Sequence, residues 1–183
     1  MSAVIREVQS AQDYAEIAKL IAEYVQWLRA RYQDDLWFIT EVLDKQSLSS
    51  ELESLPGMYG PPNGRAFVAT DGNEVIGCGA YRRFDETSCE MKRVFVPSKF
   101  QGAGLGRRIC NELLSAAAKD GYESMKLDTG KIMTEATGMY RSLGFEPCPP
   151  YYDYPERLMP YFVFLQRPLG SSAKATNEKS NPH

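Results

Sequence analysis

Histidine is almost missing from this chain: the one histidine is His183, the last residue. A Ser-His-Asp triad, a Cys-His pair or a His-based metal site therefore has no imidazole to use, and no metal is expected. No G-x-S-x-G occurs either. The four cysteines, Cys78, Cys89, Cys110 and Cys148, form no C-x-x-C pair and lie within apolar patterns, which predicts buried free thiols in a reducing cytosol. No apolar run approaches the ~18 residues that span a bilayer. The start, "MSAVIREVQSAQDY", lacks a charged segment followed by an apolar one, as a secretory signal would need. A cytoplasmic location with no membrane partner is expected. Positive charge is not in excess, with 21 Lys and Arg against 24 Asp and Glu. That balance argues against a dedicated nucleic-acid binder. An enzyme built this way must work with carboxylates, tyrosines, lysines or backbone groups.

What is present reads as one domain over residues 1–169, with a polar, disordered tail over 170–183. "AVIREVQ" (3–9) alternates as a strand, and Ser10 with Asp13 forms a capping box for a helix over 11–31. A second helical region falls within 35–55, and "PGMYGPPNG" (56–64) reads as a loop. Strands follow at 65–70, 74–83 and 88–96, the first two joined by the hairpin signal "DGN". Leu105, Ile109 and Leu113 mark a helix that Gly121 can close. A strand at 122–128, a helix at 132–143, a loop at 147–160 and a strand at 161–169 complete the chain. The order β-α-α-β-β-β-α-β-α-β predicts an α/β (α+β) fold, with a mixed, mostly antiparallel sheet and helices on both faces.

The most informative stretch is "RVFVPSKFQGAGLGRRI", Arg93 to Ile109. Its turn lacks the Lys-Ser/Thr of a P-loop. From Gly102 the dinucleotide fingerprint would need a third glycine at position 107, which is Arg107. The pattern that fits is Q-x-x-G-x-G, through Gln101, Gly104 and Gly106. With "MYRSLGFEP" downstream, the chain resembles the GCN5-related N-acetyltransferase (GNAT) family over residues 3–168. Glycines let backbone N–H groups crowd round an anion, and the helix that follows adds the positive end of its dipole. The resemblance implies a turn from Gln101 through Gly102, Ala103, Gly104, Leu105 and Gly106 to Arg107 that holds the pyrophosphate of acetyl-CoA. It also implies that backbone groups of Val94, Phe95 and Val96 hold the pantetheine arm.

Resemblance further implies an N-acetyltransferase working by direct transfer in a ternary complex. Tyr140 matches the family's acid that protonates the departing thiolate, although it also lies on the apolar stripe of its helix. Many relatives carry an asparagine seven residues earlier, where this chain has Met133. Glu90 matches the glutamate base of the histone-acetylating members; it can equally face solvent, pair with Arg83 or Lys92, or yield to a water relay. Tyr81, Arg83, Tyr151 and Tyr152 are candidate substrate-binding residues. Strand alternation puts Tyr81 and Arg83 on one face with Arg82 opposite, and an arginine near Glu90. That set suits the primary amine of a small molecule, with an amino-acid-like acceptor favoured. A protein amine as acceptor, or a non-catalytic acyl-CoA sensor, are the alternatives. Monomer and homodimer are both compatible with the sequence.

Overall fold

The computed structural model describes residues 3–170. The expected polar tail lies outside the described residues from 171 onward. Seven strands make one sheet: β1 Val4–Glu7, β2 Gly64–Asp71, β3 Glu74–Arg83, β4 Ser88–Phe95, β5 Ser124–Gly130, β6 Glu146–Pro147 and β7 Phe162–Pro168. Their spatial order is β1-β2-β3-β4-β5-β7-β6. Neighbours are antiparallel except β4 and β5, which run parallel.

Helices α1 Ala11–Arg31, α2 Leu36–Lys45, α3 Leu48–Glu53 and α4 Leu55–Tyr59 separate β1 from β2. Helix α5, Leu105–Lys119, links β4 to β5, and α6, Thr134–Ser142, follows β5. The capping box forms as expected: the Ser10 side chain accepts from the Asp13 backbone, and Asp13 accepts from the Ser10 backbone. Gly121 and Gly144 sit just past the ends of α5 and α6 at φ of 90° and 86°. An L side chain is costly in that left-handed conformation, so glycine ends both helices.

Two details differ from the sequence expectation. Residues 55–59 are a helical turn and not part of a loop. Pro56 is tolerated in a first turn because its missing N–H would be unpaired there anyway. Leu55 and Tyr59, one turn apart, both bury. The two-residue strand β6 also lies where a loop was expected; so short a pairing, with Pro147 in it, leaves no alternation to read.

The sheet divides the core. Cys89, Met91 and Tyr81 on one face pack with Ile109, Leu113 and Ala117 of α5 and Tyr140 of α6. Ala66, Val68, Cys78 and Ala80 on the other meet Ile17, Leu20 and Ile21 of α1 and Leu55 of α4. Helix α5 lies close because β3 carries glycine beneath it. A Cβ on Gly79 would come within 2.6 Å of Ile109 Cγ2 and 3.0 Å of Leu113 Cδ1.

Candidate active site

The site begins where the sheet forks. Strands β4 and β5 pair only at Ser88–Glu90 against Ser124–Lys126. Beyond that point β4 stays with β3 as far as Phe95, and β5 stays with β7 as far as Gly130. Each strand follows its antiparallel partner, so the twist of the sheet drives the parallel pair apart. The edge of β4 from Met91 onward is left without a ladder partner on the β5 side.

A bulge sharpens the fork. Ala80 stands opposite Lys92 and Cys78 opposite Phe95, so β4 spends one extra residue between them. Arg93 takes φ of 56°, a left-handed conformation unfavourable for a non-glycine residue. It is held there by its own side chain. Its guanidinium makes two 2.7 Å hydrogen bonds to Glu51, which also accepts from the Tyr59 hydroxyl at 2.8 Å. Burial would raise the Glu51 carboxyl, but the hydrogen bonds and charge of Arg93 outweigh it and hold Glu51 below its ordinary value.

On one side of the fork lies a cleft of about 480 Å³. Val94, Phe95 and Val96 form its inner wall, and Gln101, Gly102, Gly104, Leu105, Gly106 and Arg107 its outer end. The Gln101 side chain ties the turn to the strand by donating to the Val96 carbonyl at 2.8 Å. Gly102 and Gly104 have φ of 84° and 72°. A Cβ on either would meet nothing within 4 Å, so the turn leaves an open cradle. Gly104 caps α5 without a side-chain hydrogen bond, which leaves the first helical N–H groups facing that space. Ala103 is exposed in the turn and is not part of the wall.

On the other side is a smaller cavity of about 100 Å³, bounded by α1, α2, β4 and β5. Tyr140 lines both spaces. Burial pushes its phenol well above the usual value. The small cavity also exposes Lys92, Arg93 and Asp128. Lys92 Nζ is 3.1 Å from Asp128 and 3.5 Å from Glu90. Burial would lower the Lys92 ammonium, but Asp128 and Glu90 outweigh it and hold it above its ordinary value, hence protonated.

Glu90 is wholly buried and lines neither space. Its carboxylate accepts from Arg82 at 3.0 and 3.1 Å and from the Tyr152 hydroxyl at 2.6 Å, with Tyr151 at 3.5 Å. An arginine does sit beside Glu90, as alternation required, but it is Arg82, its direct cross-strand partner. The expectation for Tyr81 and Arg83 is corrected. Tyr81 points to the α5 face and donates to Asp120, and Arg83 is exposed near Tyr122. Tyr151 and Tyr152 do converge on Glu90. Sequence reasoning missed Asp128, the Arg93–Glu51 pair, and Tyr24 and Trp27 of α1, which line the larger cleft. Only Asp128, a carboxylate closing an apolar strand, left a signal.

Among the described residues no three His, Cys, Asp or Glu side chains converge as a metal-ligand set, the four cysteines are unpaired, and no helix is long and apolar enough to cross a membrane.

This arrangement has known counterparts. The family described as "Acetyltransferase (GNAT) domain" matches residues 62–147. An uncharacterized N-acetyltransferase of Schizosaccharomyces pombe is 34% identical over 164 residues, 88% of this chain and 92% of that protein. An N-acetylaspartate synthetase of Danio rerio is 29% identical over 68% of this chain and 45% of its own length. Among solved structures, the PaiA N-acetyltransferase of Thermoplasma acidophilum, crystallised with coenzyme A, superimposes with a TM-score of 0.68 at 16% identity, covering 92% of this chain and 99% of its own. The forked sheet and its glycine turn are those of an acyltransferase, and the chain belongs to the GNAT family of N-acetyltransferases.

Proposed function

We propose that the chain moves the acetyl group of acetyl-CoA directly to the primary amine of a small, amino-acid-like molecule. The observation that carries this reading is the junction at the fork. A cleft with an anion cradle at one end meets a smaller cavity, and Tyr140 borders both. In this reading the cradle from Gln101 to Arg107 takes the pyrophosphate. The free edge of Val94 to Val96 pairs with the pantetheine amides, and the thioester lies beside Tyr140. The buried phenol keeps its proton at neutral pH and gives it to the departing thiolate. A backbone N–H near the bulge faces the developing oxyanion. Glu90 enters as the second carboxylate on Lys92 and holds that side chain at the small cavity. Free thiols suit a cytoplasmic enzyme.

The preference for an amino-acid-like acceptor rests on charge. Lys92, Arg93 and Asp128 line the small cavity, and with their ion-pair partners Glu51, Glu90 and Arg82 they make a linked set of three cations and three carboxylates. A zwitterion adds no net charge to that set, whereas a polyamine would bury unmatched positive charge. The relative that makes N-acetylaspartate, by its name, acts on such an acceptor. Thiol release from acetyl-CoA, measured against amino acids, monoamines, polyamines and an N-terminal peptide, tests the proposal. Turnover with carboxylate-bearing amines is expected; preference for a polyamine or peptide over all of them would overturn the acceptor class.

A further inference from the structure

The small cavity holds two groups to which the reading above gives no contact with the acceptor. One is Asp128, whose side chain is 4% exposed and whose known partner is Lys92 at 3.1 Å. The other is the hydroxyl of Tyr32, on a residue 3% exposed. Among the described residues it is buried without any hydrogen-bond partner. Burial pushes that phenol up to about 12, so it stays a donor at neutral pH. A buried hydroxyl with no partner carries an uncompensated desolvation cost. Filling the space around it with protein would remove that cost, but the neighbouring backbone at Gly130 carries no side chain, and a Cβ there would collide with the Tyr32 ring hydroxyl. Both groups border one space, together with Tyr140.

We infer that Asp128 receives the acceptor's ammonium and takes its proton, and that the Tyr32 hydroxyl donates to a second polar group of the same acceptor. Glu90 is then a positioning residue that shares Lys92 with Asp128. This inference rests on the acetyltransferase reading of the site.

The chemistry balances as follows. The ammonium gives one proton to the Asp128 carboxylate and becomes a neutral amine. Its lone pair forms the C–N bond to the thioester carbon, and collapse of the tetrahedral adduct breaks the C–S bond. Tyr140 protonates the thiolate. The nitrogen's second proton returns through water to Tyr140, and Asp128 releases the first to solvent.

The test uses the full chain, acetyl-CoA and the common L-amino acids, with the fastest acceptor carried forward. Asp128→Asn should lower kcat/KM for that acceptor about 100-fold at pH 7, the low end for loss of a general base, with coenzyme A affinity unchanged by calorimetry. The deficit should narrow to under about tenfold near pH 10, where the acceptor arrives already neutral. A purely structural lesion would persist across pH. Tyr32→Phe should raise the acceptor KM about tenfold with kcat within about twofold, and should not lower Tm, since no bond within the protein is lost. If Asp128→Asn fails to fold, Asp128→Glu, which keeps the charge but moves it by one methylene, should still cost at least about tenfold in kcat/KM. No amine-dependent thiol release by the wild type would sink the acetyltransferase reading itself. Turnover by the wild type, with wild-type constants in Tyr32→Phe and a pH-independent deficit or none in the Asp128 variants, would overturn this inference while leaving that reading intact.

Discussion

At the residue scale, the site separates side chains that reach open space from those that only support them. Tyr140 reaches both cavities, and its burial-raised phenol is an acid that does not titrate in the neutral range. Tyr140→Phe should lower kcat by about 100-fold while coenzyme A affinity stays within about twofold. Stopped-flow thiol release and calorimetry on the same preparation check this, and a wild-type kcat would reduce the ring to packing against Phe145. Because the phenol sits so high, the wild-type rate should show no basic limb from this group below about pH 10. Glu90 is different. Locked between Arg82, Tyr152 and Lys92, it lines no cavity. Glu90→Gln should therefore cost activity through a misplaced Lys92, and that loss should not recover at high pH as the Asp128→Asn loss does. A pH profile of the two variants side by side distinguishes them.

At the element scale, two glycine positions do unrelated work. Gly104 stands at the start of α5 with φ of 72° and open space where its Cβ would be. Gly104→Val strains the backbone and fills the cradle, so coenzyme A affinity should fall more than about tenfold, over ~1.4 kcal/mol, with the fold retained. Unchanged binding by calorimetry to a folded variant would remove the turn from the site. Gly79 lies under the middle of α5, where an added methyl meets Ile109 and Leu113. Gly79→Ala should lower stability by about 1–3 kcal/mol, read by urea unfolding. Any accompanying loss of cofactor affinity should be small, since Gly79 lines neither cavity. The element order was legible beforehand, because strand alternation and helix stripes are local periodicities. Helix α4 and strand β6 were not, because one carries a proline and a glycine on a single turn and the other has two residues.

At the scale of the whole molecule, one ion pair joins the helical layer to the bulged strand. Glu51 of α3 holds Arg93 of β4, both side chains nearly buried. The depressed Glu51 carboxyl and that of Asp13, lowered by the Arg6 hydrogen bonds and the Gln9 backbone, make stability depend on pH. For a folded value below the unfolded one, the stabilisation is complete above the unfolded value of about 4 and is lost as pH falls through the folded one. Tm should thus be flat from about pH 7 to pH 5 and fall below about pH 4. Glu51→Ala, which leaves a buried guanidinium unpaired, should cost about 3–5 kcal/mol at pH 7 and flatten that acid slope. A slope unchanged by the substitution, followed by calorimetry, would show that other carboxylates govern acid unfolding.

The sequence by itself determined six of the seven strands, the long helices α1 and α5, the capping box, the helix-ending glycines and the glycine turn. Those features depend on residue spacing along one segment, and the chain carries its spacing openly. Which arginine meets Glu90 was decided by strand register, which aligns Arg82 and turns Arg83 away. That Asp128 borders the small cavity and Glu90 does not was decided by the fork, since pairing between β4 and β5 ends at Glu90 and Lys126 and the cavity opens only beyond them. Tyr32 and Asp128 stand 96 positions apart in the chain (128 − 32). They border one cavity because α1 is laid across a gap that two diverging strands create, and no local pattern in either segment encodes the other.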